Sequence, residues 1–342
     1  MIRLYLSNDS SSRAAGAERL ANAWVRRPGI ELVRTSSRGA FFLEPIVERD
    51  MEGGRTAWFH VTPDDLPKIL DGVDGTPVEA IPFLKQQTRH TFANFGLTKP
   101  LSLNDYRDRG GFTGLTAARD QGPDGILNEI KVSQLRGRGG AAFPVWNKWE
   151  VARNAHGQRK YVVANADEGD AGTYCDRMIM EGDPFRLIEG MLICAQAIGA
   201  DAGYIYCRHE YAAATSTLRT AIQIADEAGL FEQGHGRFRL ELFVGAGSYV
   251  CGEETALLES LEGRRGVVRV KPPYPAQSGL YGLPTIVSNV LTFATIPNIL
   301  ARGGPWHAAL GTKQSRGTIA MQIGGRVKQP GLVEIPFGIT LR

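Results

Sequence analysis

From Tyr161 to Gly263 short apolar runs alternate with longer segments of helical period, and this alternation limits the architecture more than any other feature of the chain. Tyr161 to Ala164 reads as a buried strand. Asp183-Pro184 opens a helix to Ile198, because proline is already shaped for a first helical turn. Gly203 to Arg208 reads as a strand, Tyr211 to Ala228 as a helix closed by Gly229, Arg237 to Val244 as a strand, and Glu253 to Leu261 as a helix closed by Gly263. Parallel strands need long crossovers, so the expected fold class is α/β, a parallel sheet with helices on both faces. Ligands in such sheets bind beyond the carboxyl ends of the strands. The loops after Ala164 and Val244 are therefore the first places to look for chemistry.

The loop after Ala164 is Asn165-Ala-Asp-Glu-Gly-Asp170, with three carboxylates and an amide. Carboxylates there suit sugar hydroxyls or the edge of a heteroaromatic ring, whereas a phosphate would be repelled; a solvated acidic loop or a helix cap would read the same. The loop after Val244 is Gly245-Ala-Gly-Ser-Tyr-Val-Cys-Gly-Glu-Glu-Thr255, a glycine turn running into a helix N-terminus. That is an anion or ring-edge site, or a plain strand-to-helix turn.

Leu135 to Trp149 places Gly137, Gly139 and Gly140 among Arg136, Arg138 and Lys148. Without a Cβ, glycine amides can approach phosphate oxygens closely, so the stretch reads as an anion cradle, with a tight surface turn as the alternative. Its Gly137-x-Gly139-x-x-Ala142 spacing resembles a dinucleotide fingerprint, which needs a preceding strand. Ile126 to Leu135 reads as a helix instead, which disfavours an ordinary Rossmann turn. Phe143 adds an aromatic face suited to stacking on a flat ring. Lys271-Pro-Pro-Tyr-Pro-Ala-Gln277 is a stiff extended segment, equally readable as a surface polyproline turn. Thr285 to Leu300 reads as one apolar helix with Ser288 and Asn289 in its early turns.

The 342 residues can bury a large core, and a net charge of +3 points to no nucleic-acid or membrane surface. No apolar run is long enough to span a bilayer and Met1 to Ser12 lacks a signal-peptide core, so a cytoplasmic location without membrane insertion is expected. Cys175, Cys194, Cys207 and Cys251 form no C-x-x-C pair, which argues against a metal or iron–sulfur site in this segment. Residues 1–75 read as βαβ followed by a hairpin, the order of a thioredoxin-like domain, here without cluster cysteines. Residues 76–114 read as a linker wrapping the next domain, 115–305 as the ligand-binding domain, and 306–342 as a further unit begun by a hairpin.

Five motifs in fixed order, Arg136 to Trp149, Asn165 to Arg177, Gly245 to Gly263, Lys271 to Gly279 and Thr285 to Asn289, resemble the FMN- and NADH-binding flavoprotein subunit of complex I type enzymes. The resemblance implies a Rossmann-like FMN/NADH domain followed by the start of a β-grasp domain. It also implies a diaphorase activity that exchanges a hydride between NAD(H) and FMN and passes single electrons to iron–sulfur clusters. Carried over, Gly137, Arg138, Gly139 and Lys148 would line the FMN phosphate and ring, and Asn165, Asp167 and Glu168 would hydrogen-bond the flavin and its ribityl chain. Tyr249, Gly252, Glu253, Ser288 and Asn289 would complete that pocket. Phe143, Asp170, Glu254, Lys271 and Tyr274 would face NADH. No side chain need act as acid or base.

The fused N-terminal unit, with Arg34-Thr-Ser-Ser-Arg-Gly39 and Phe42-Leu-Glu-Pro45, looks most like the beta subunit of molybdenum- or tungsten-dependent, NAD-linked formate dehydrogenases. This implies a cluster-bearing catalytic partner of formate dehydrogenase alpha type and a small thioredoxin-like [2Fe–2S] subunit. Alternatives with the same chemistry are the diaphorase subunit of an NAD-reducing hydrogenase and a fused NADH-quinone oxidoreductase flavoprotein subunit. A non-catalytic nucleotide-sensing scaffold is disfavoured, since Lys148, Glu253 and Glu254 are all present. The family's cysteine-rich domain, with its [4Fe–4S] cluster, is expected beyond Arg342. Asp170, Ala142, Val151 and Ser288 depart from the residues usual in the family, which bears mainly on the NADH contacts.

Overall fold

Residues 1–77 build a five-stranded mixed sheet in the computed structural model, which describes residues 1–233 and 236–340. Strand β1 (Ile2–Ser7) leads through helices α1 (Ser10–Ala14) and α2 (Ala17–Trp24) to the parallel strand β2 (Ile30–Thr35). Gly16 separates the two helices, because its φ of 113° suits glycine and breaks a helix. The antiparallel hairpin of β3 (Val47–Met51) and β4 (Gly54–Trp58) follows, then α3 (Leu66–Asp71) and the short edge strand β5 (Thr76–Pro77). The order β2-β1-β3-β4-β5, with only the first pair parallel, is the thioredoxin-like arrangement. Leu4, Leu6, Leu20, Trp24, Val47 and Trp58 fill its core.

Helices α4 (Pro82–Lys85) and α5 (Leu103–Asp108) punctuate the segment that crosses to the second layer. One buried acid fastens it. Glu189 accepts the Tyr106 hydroxyl at 2.5 Å and the amides of Phe112 and Leu115 at 2.9 Å each, pulling the chain down just where α6 (Thr113–Ser133) begins. Helix α6 is broken by Gly122-Pro123, glycine taking a φ of 67° and proline restarting the turn.

After α7 (Val145–Asn154) come β6 (Tyr161–Ala166), α8 (Cys175–Gly182), α9 (Pro184–Ile198), β7 (Ala202–Cys207) and α10 (Ala212–Glu227). The two-residue strands β8 (Glu232–Gln233) and β9 (Gly236–Arg237) lead into β10 (Arg239–Val244) and α11 (Glu254–Leu261). Strand β11 (Thr285–Asn289) then completes a fully parallel sheet of order β10-β7-β6-β11. This corrects the expectation of one helix from Thr285. The β-branched run Thr285-Ile-Val pairs with β6, and α12 (Val290–Arg302) starts only after Asn289, whose side chain accepts the Thr292 amide at 2.9 Å. A buried strand that runs straight into a buried helix has no polar face to mark the change.

Helix α9 is buried along nearly its whole length, and α12 lies against it at the distance Gly190 allows: a Cβ there would come within 2.0 Å of the Phe293 carbonyl oxygen. Helix α13 (Gly304–Ala308) leads to the hairpin of β12 (Thr318–Ile323) and β13 (Gly331–Pro336). Glu334, buried on that hairpin, accepts the amides of His90, Thr91 and Phe92 and the Thr318 hydroxyl, so the hairpin is clamped to the crossing segment. Among the described residues, no helix is long and apolar enough to cross a membrane.

Candidate functional site

Parallel register brings two amide side chains side by side at the carboxyl end of the second sheet. Asn165 at the end of β6 pairs with Asn289 at the end of β11. Around them opens a cleft of about 620 Å3. Among the residues singled out from the sequence, Arg138, Gly139, Asn165, Asp167 and Glu168 line it, as do Asp170, Tyr249, Gly252, Glu253 and Asn289. Asn165 donates to the Gly252 carbonyl at 2.8 Å, which joins the two loops that leave β6 and β10.

The glycine loop forms one wall. A bridge between Arg136 and Pro144 pinches its base, and Gly137 serves that bridge by donating to the Phe143 carbonyl at 2.9 Å instead of lining the cleft. The Arg138 amide donates to Thr292 Oγ1 at 2.8 Å, fixing the loop on the first turn of α12. Among the described residues, the amides of Gly139, Gly140 and Ala141 have no protein partner. Nothing lies within 4 Å of where a Cβ on Gly140 would stand. A row of unmet donors in open space suits an anionic oxygen group. The Arg138 guanidinium, in contrast, turns away from the cleft's mouth: it donates to the Arg316 carbonyl at 2.8 Å and lies 4.7 Å from the centre of the Phe337 ring. Burial draws its pKa down to about 10.

The acids at the opposite wall divide by their partners. Glu168 accepts the amides of Asp176 and Arg177 at 3.1 and 3.0 Å and the Tyr211 hydroxyl at 3.1 Å, so its carboxylate caps α8. Asp176, buried beneath it, accepts from Asn289 Nδ2 at 3.2 Å and from the Leu291 amide at 3.1 Å. It thereby sets which way the Asn289 amide faces. Burial first, and Glu168 next, raise the Asp176 pKa well above the carboxyl range, while burial keeps the Cys175 thiol protonated. Asp167 remains available: burial pushes it up to about 6 against the pull of Arg208. At the rim the Tyr249 hydroxyl donates to Asp170 at 2.5 Å.

The remaining sequence candidates lie outside the lining. Lys148 Nζ donates to Glu254 at 2.9 Å and to the Val287 carbonyl at 2.7 Å, and Lys271 bridges Glu253 at 2.9 Å and Glu254 at 3.4 Å. These four groups form a chain of alternating charge behind the loop after β10. Glu253 also caps α11 through the amides of Thr255 and Ala256. Ser288 sits inside β11, and Phe143 and Tyr274 are 52% and 56% exposed.

Sequence reading missed Asp176 and the wall contributed by Ile319, Ala320 and Gln322. Asp176 lay within a recognised motif, so its position was a usable signal. For the β12 residues no local signal exists. Their chemistry is ordinary, and they reach the cleft only because Gln322 accepts the Tyr174 amide and Glu334 clamps the hairpin.

The profile of the Nuo51 FMN-binding domain matches residues 130–298. The NADP-reducing hydrogenase subunit HndC of Solidesulfovibrio fructosivorans is 45% identical over 262 residues, 75% of this chain and 53% of that protein. The F subunit of the NADH-quinone oxidoreductase of Escherichia coli K12 is 48% identical over 251 residues, 71% of this chain and 56% of that protein. The chain therefore spans little more than half the length of these relatives. A crystal structure of NAD+-reducing [NiFe]-hydrogenase in the H2-reduced state superposes with a TM-score of 0.64 at 32% identity, over 99% of this chain and 59% of that one.

Proposed function

We propose that this chain, whose residues 130–298 match the Nuo51 FMN-binding domain, is the flavin-bearing, NAD(H)-reactive subunit of a larger electron-transfer enzyme. The observation that carries the reading is the cleft itself, whose lining joins Gly139 and Gly140, with amides that have no protein partner among the described residues, to the register-paired Asn165 and Asn289. That donor set fits FMN, with amides for an anionic phosphate and side-chain amides and Asp167 for polar ring and ribityl edges. FMN bound there supplies hydride and single-electron chemistry; the chain binds it, orients it and positions the nucleotide beside it. Gly139, Asn165, Asp167, Gly252 and Asn289 hold the flavin, with Arg138, Glu168, Tyr249, Glu253 and Ser288 supporting them. Asp170, Phe143, Glu254, Lys271 and Tyr274 attend the nucleotide, and Gly137 and Lys148 brace the loops.

Protein reconstituted with FMN should bleach under anaerobic NADH. Lack of flavin uptake by the folded protein, or no bleaching with saturating NADH, would overturn the assignment. NADH should act at least about tenfold faster than NADPH, because a carboxylate at the ribose repels a 2′-phosphate. Asp170 is the carboxylate to test, since Lys148 and Lys271 already compensate Glu254. Asp170→Asn should narrow the ratio; equal rates with the two nucleotides in the unaltered protein would refute the preference.

Lys148→Ala removes a charge-assisted bond between α7, β11 and α11 that is worth about 1.5–3 kcal/mol, and should lower flavin affinity roughly tenfold or more. Equilibrium titration of the apoprotein with FMN measures this directly.

For the physiological partner, we infer a molybdenum- or tungsten-dependent formate dehydrogenase catalytic subunit, with NAD+ reduced by electrons passed through iron–sulfur clusters. The support is the N-terminal unit with its Arg34 to Gly39 and Phe42 to Pro45 motifs. A hydrogenase partner is the second reading, favoured by the superposition on the NAD+-reducing hydrogenase over 99% of the chain, N-terminal domain included. Mass spectrometry of proteins co-purified with the intact complex separates the two.

A further inference from the structure

The two N-terminal motifs that serve no ligand in the cleft meet at the seam between the thioredoxin-like domain and α8. There Ser10 gives Glu181 both its amide and its hydroxyl, each at 2.7 Å, and Arg177 Nη2 donates to Ser11 Oγ at 2.6 Å. One layer further in, Ser12 and Ser37 both donate hydroxyls to Glu44 Oε1, at 2.5 and 2.9 Å, while the Ile46 amide donates to its other oxygen at 3.0 Å. Asp9 accepts the amides of Ser12 at 2.8 Å and Ser37 at 3.2 Å. The fit is tight on both sides: a Cβ on Gly182, at the end of α8, would stand 2.7 Å from Ser36 Cβ.

Charge at this seam is unbalanced. Asp9 comes from the loop after β1, Glu44 from the turn before β3, and Glu181 from α8; all three are buried. Arg177, also from α8, is the cation that draws most on Asp9 and Glu181 among the described residues. Arg38, the next charged residue along the loop after β2, is paired with Glu48 of β3. Helix α8 carries Cys175 and Asp176 into the cleft at its other end.

We propose that this seam is a pH-responsive joint, closed while one of its acids holds a proton and loosened when Asp9, Glu44 and Glu181 are all ionised against Arg177, with α8 transmitting the change to the cleft. The serine hydroxyls make both states possible, because Ser12 and Ser37 can both donate to ionised Glu44, and one of them can rotate to accept the single O–H of protonated Glu44. Burial pushes the Glu44 carboxyl up to about 7, with Asp9 adding to the shift, and burial likewise raises Asp9 and Glu181. A carboxyl raised by folding stabilises the closed joint fully below its ordinary value, and that contribution is lost as pH rises through about 7.

Hydrogen exchange of the full chain at pH 6 and pH 8, corrected for intrinsic rates, tests the joint. Protection over residues 8–14, 36–46 and 175–182 should fall by about tenfold between the two, while residues 126–133 of α6 keep theirs. Glu44→Gln should hold protection flat across this range. Glu181→Gln removes a different negative charge, leaves Glu44 in place and should reduce the loss, which keeps the test decisive if the first variant does not fold. Unchanged protection in the unaltered protein, an equal loss in α6, or an undiminished loss in the folded variants would each overturn the proposal.

Discussion

Gly139→Val is expected to abolish flavin retention while leaving the protein folded. Gly139 does not take a positive φ, unlike Gly140 at 107°, so its backbone accepts a side chain without strain. The conflict is purely local. A Cβ at Gly139 would stand 3.2 Å from Asn289 Cβ, and the branched valine would crowd the amide face that the loop turns toward the cleft. Overpacking costs roughly 1–3 kcal/mol, and displacing an anion from the adjacent amides costs a charge-assisted hydrogen bond in addition, so affinity should fall on the order of a hundredfold or more. Gly139→Ala should lie between, since one methyl can be absorbed by a shift of a few tenths of an ångström. Flavin titration with a parallel thermal melt measures both arms; an unchanged Kd in folded Gly139→Val would show that the loop does not face the ligand.

The second large effect is on stability. Glu189→Ala should destabilise the chain by about 3–5 kcal/mol, the usual cost of removing one partner from a buried polar network. Three donors converge on that carboxylate, two of them backbone amides at the buried start of α6. Burial raises the Glu189 pKa, and its hydrogen bonds to Tyr106, Phe112 and Leu115 oppose the shift. Urea unfolding should show a lower midpoint, and hydrogen exchange should show residues 103–118 losing protection first. Tyr106→Phe leaves both amides satisfied and should cost only about 1 kcal/mol. Equal effects of the two variants would mean that Glu189 does not organise the crossing segment.

The arrangement also separates two duties that sequence motifs merge. Within Asn165 to Asp170, Asn165 also ties neighbouring loops together, Glu168 caps α8 and Asp170 accepts the Tyr249 hydroxyl, while the Asp167 carboxylate is left for a ligand. In the loop after β10, Glu253 caps α11 and salt-bridges Lys271, and Tyr249 reaches across the rim. A carboxylate at a helix N-terminus and a carboxylate at a ligand are the same residue type in the same kind of loop. Only the neighbouring element tells them apart.

What the sequence determined by itself was the parallel sheet, the helices between its strands, and the three loops at its carboxyl end, because apolar periodicity and glycine placement are local and survive in a one-dimensional reading. The thioredoxin-like order of the first 75 residues was legible for the same reason. Tertiary structure alone decided that Thr285 to Asn289 is a strand, since its pairing with β6 lies more than a hundred residues away. It decided that Arg138 points to Arg316 and Phe337, that Asp176 aims the Asn289 amide, and that β12 supplies a wall of the cleft. Each of these depends on which distant donor or acceptor meets a side chain. Burial makes leaving a polar group unpaired costly, so the partner that the fold brings near, and not the residue type, fixes where that side chain turns.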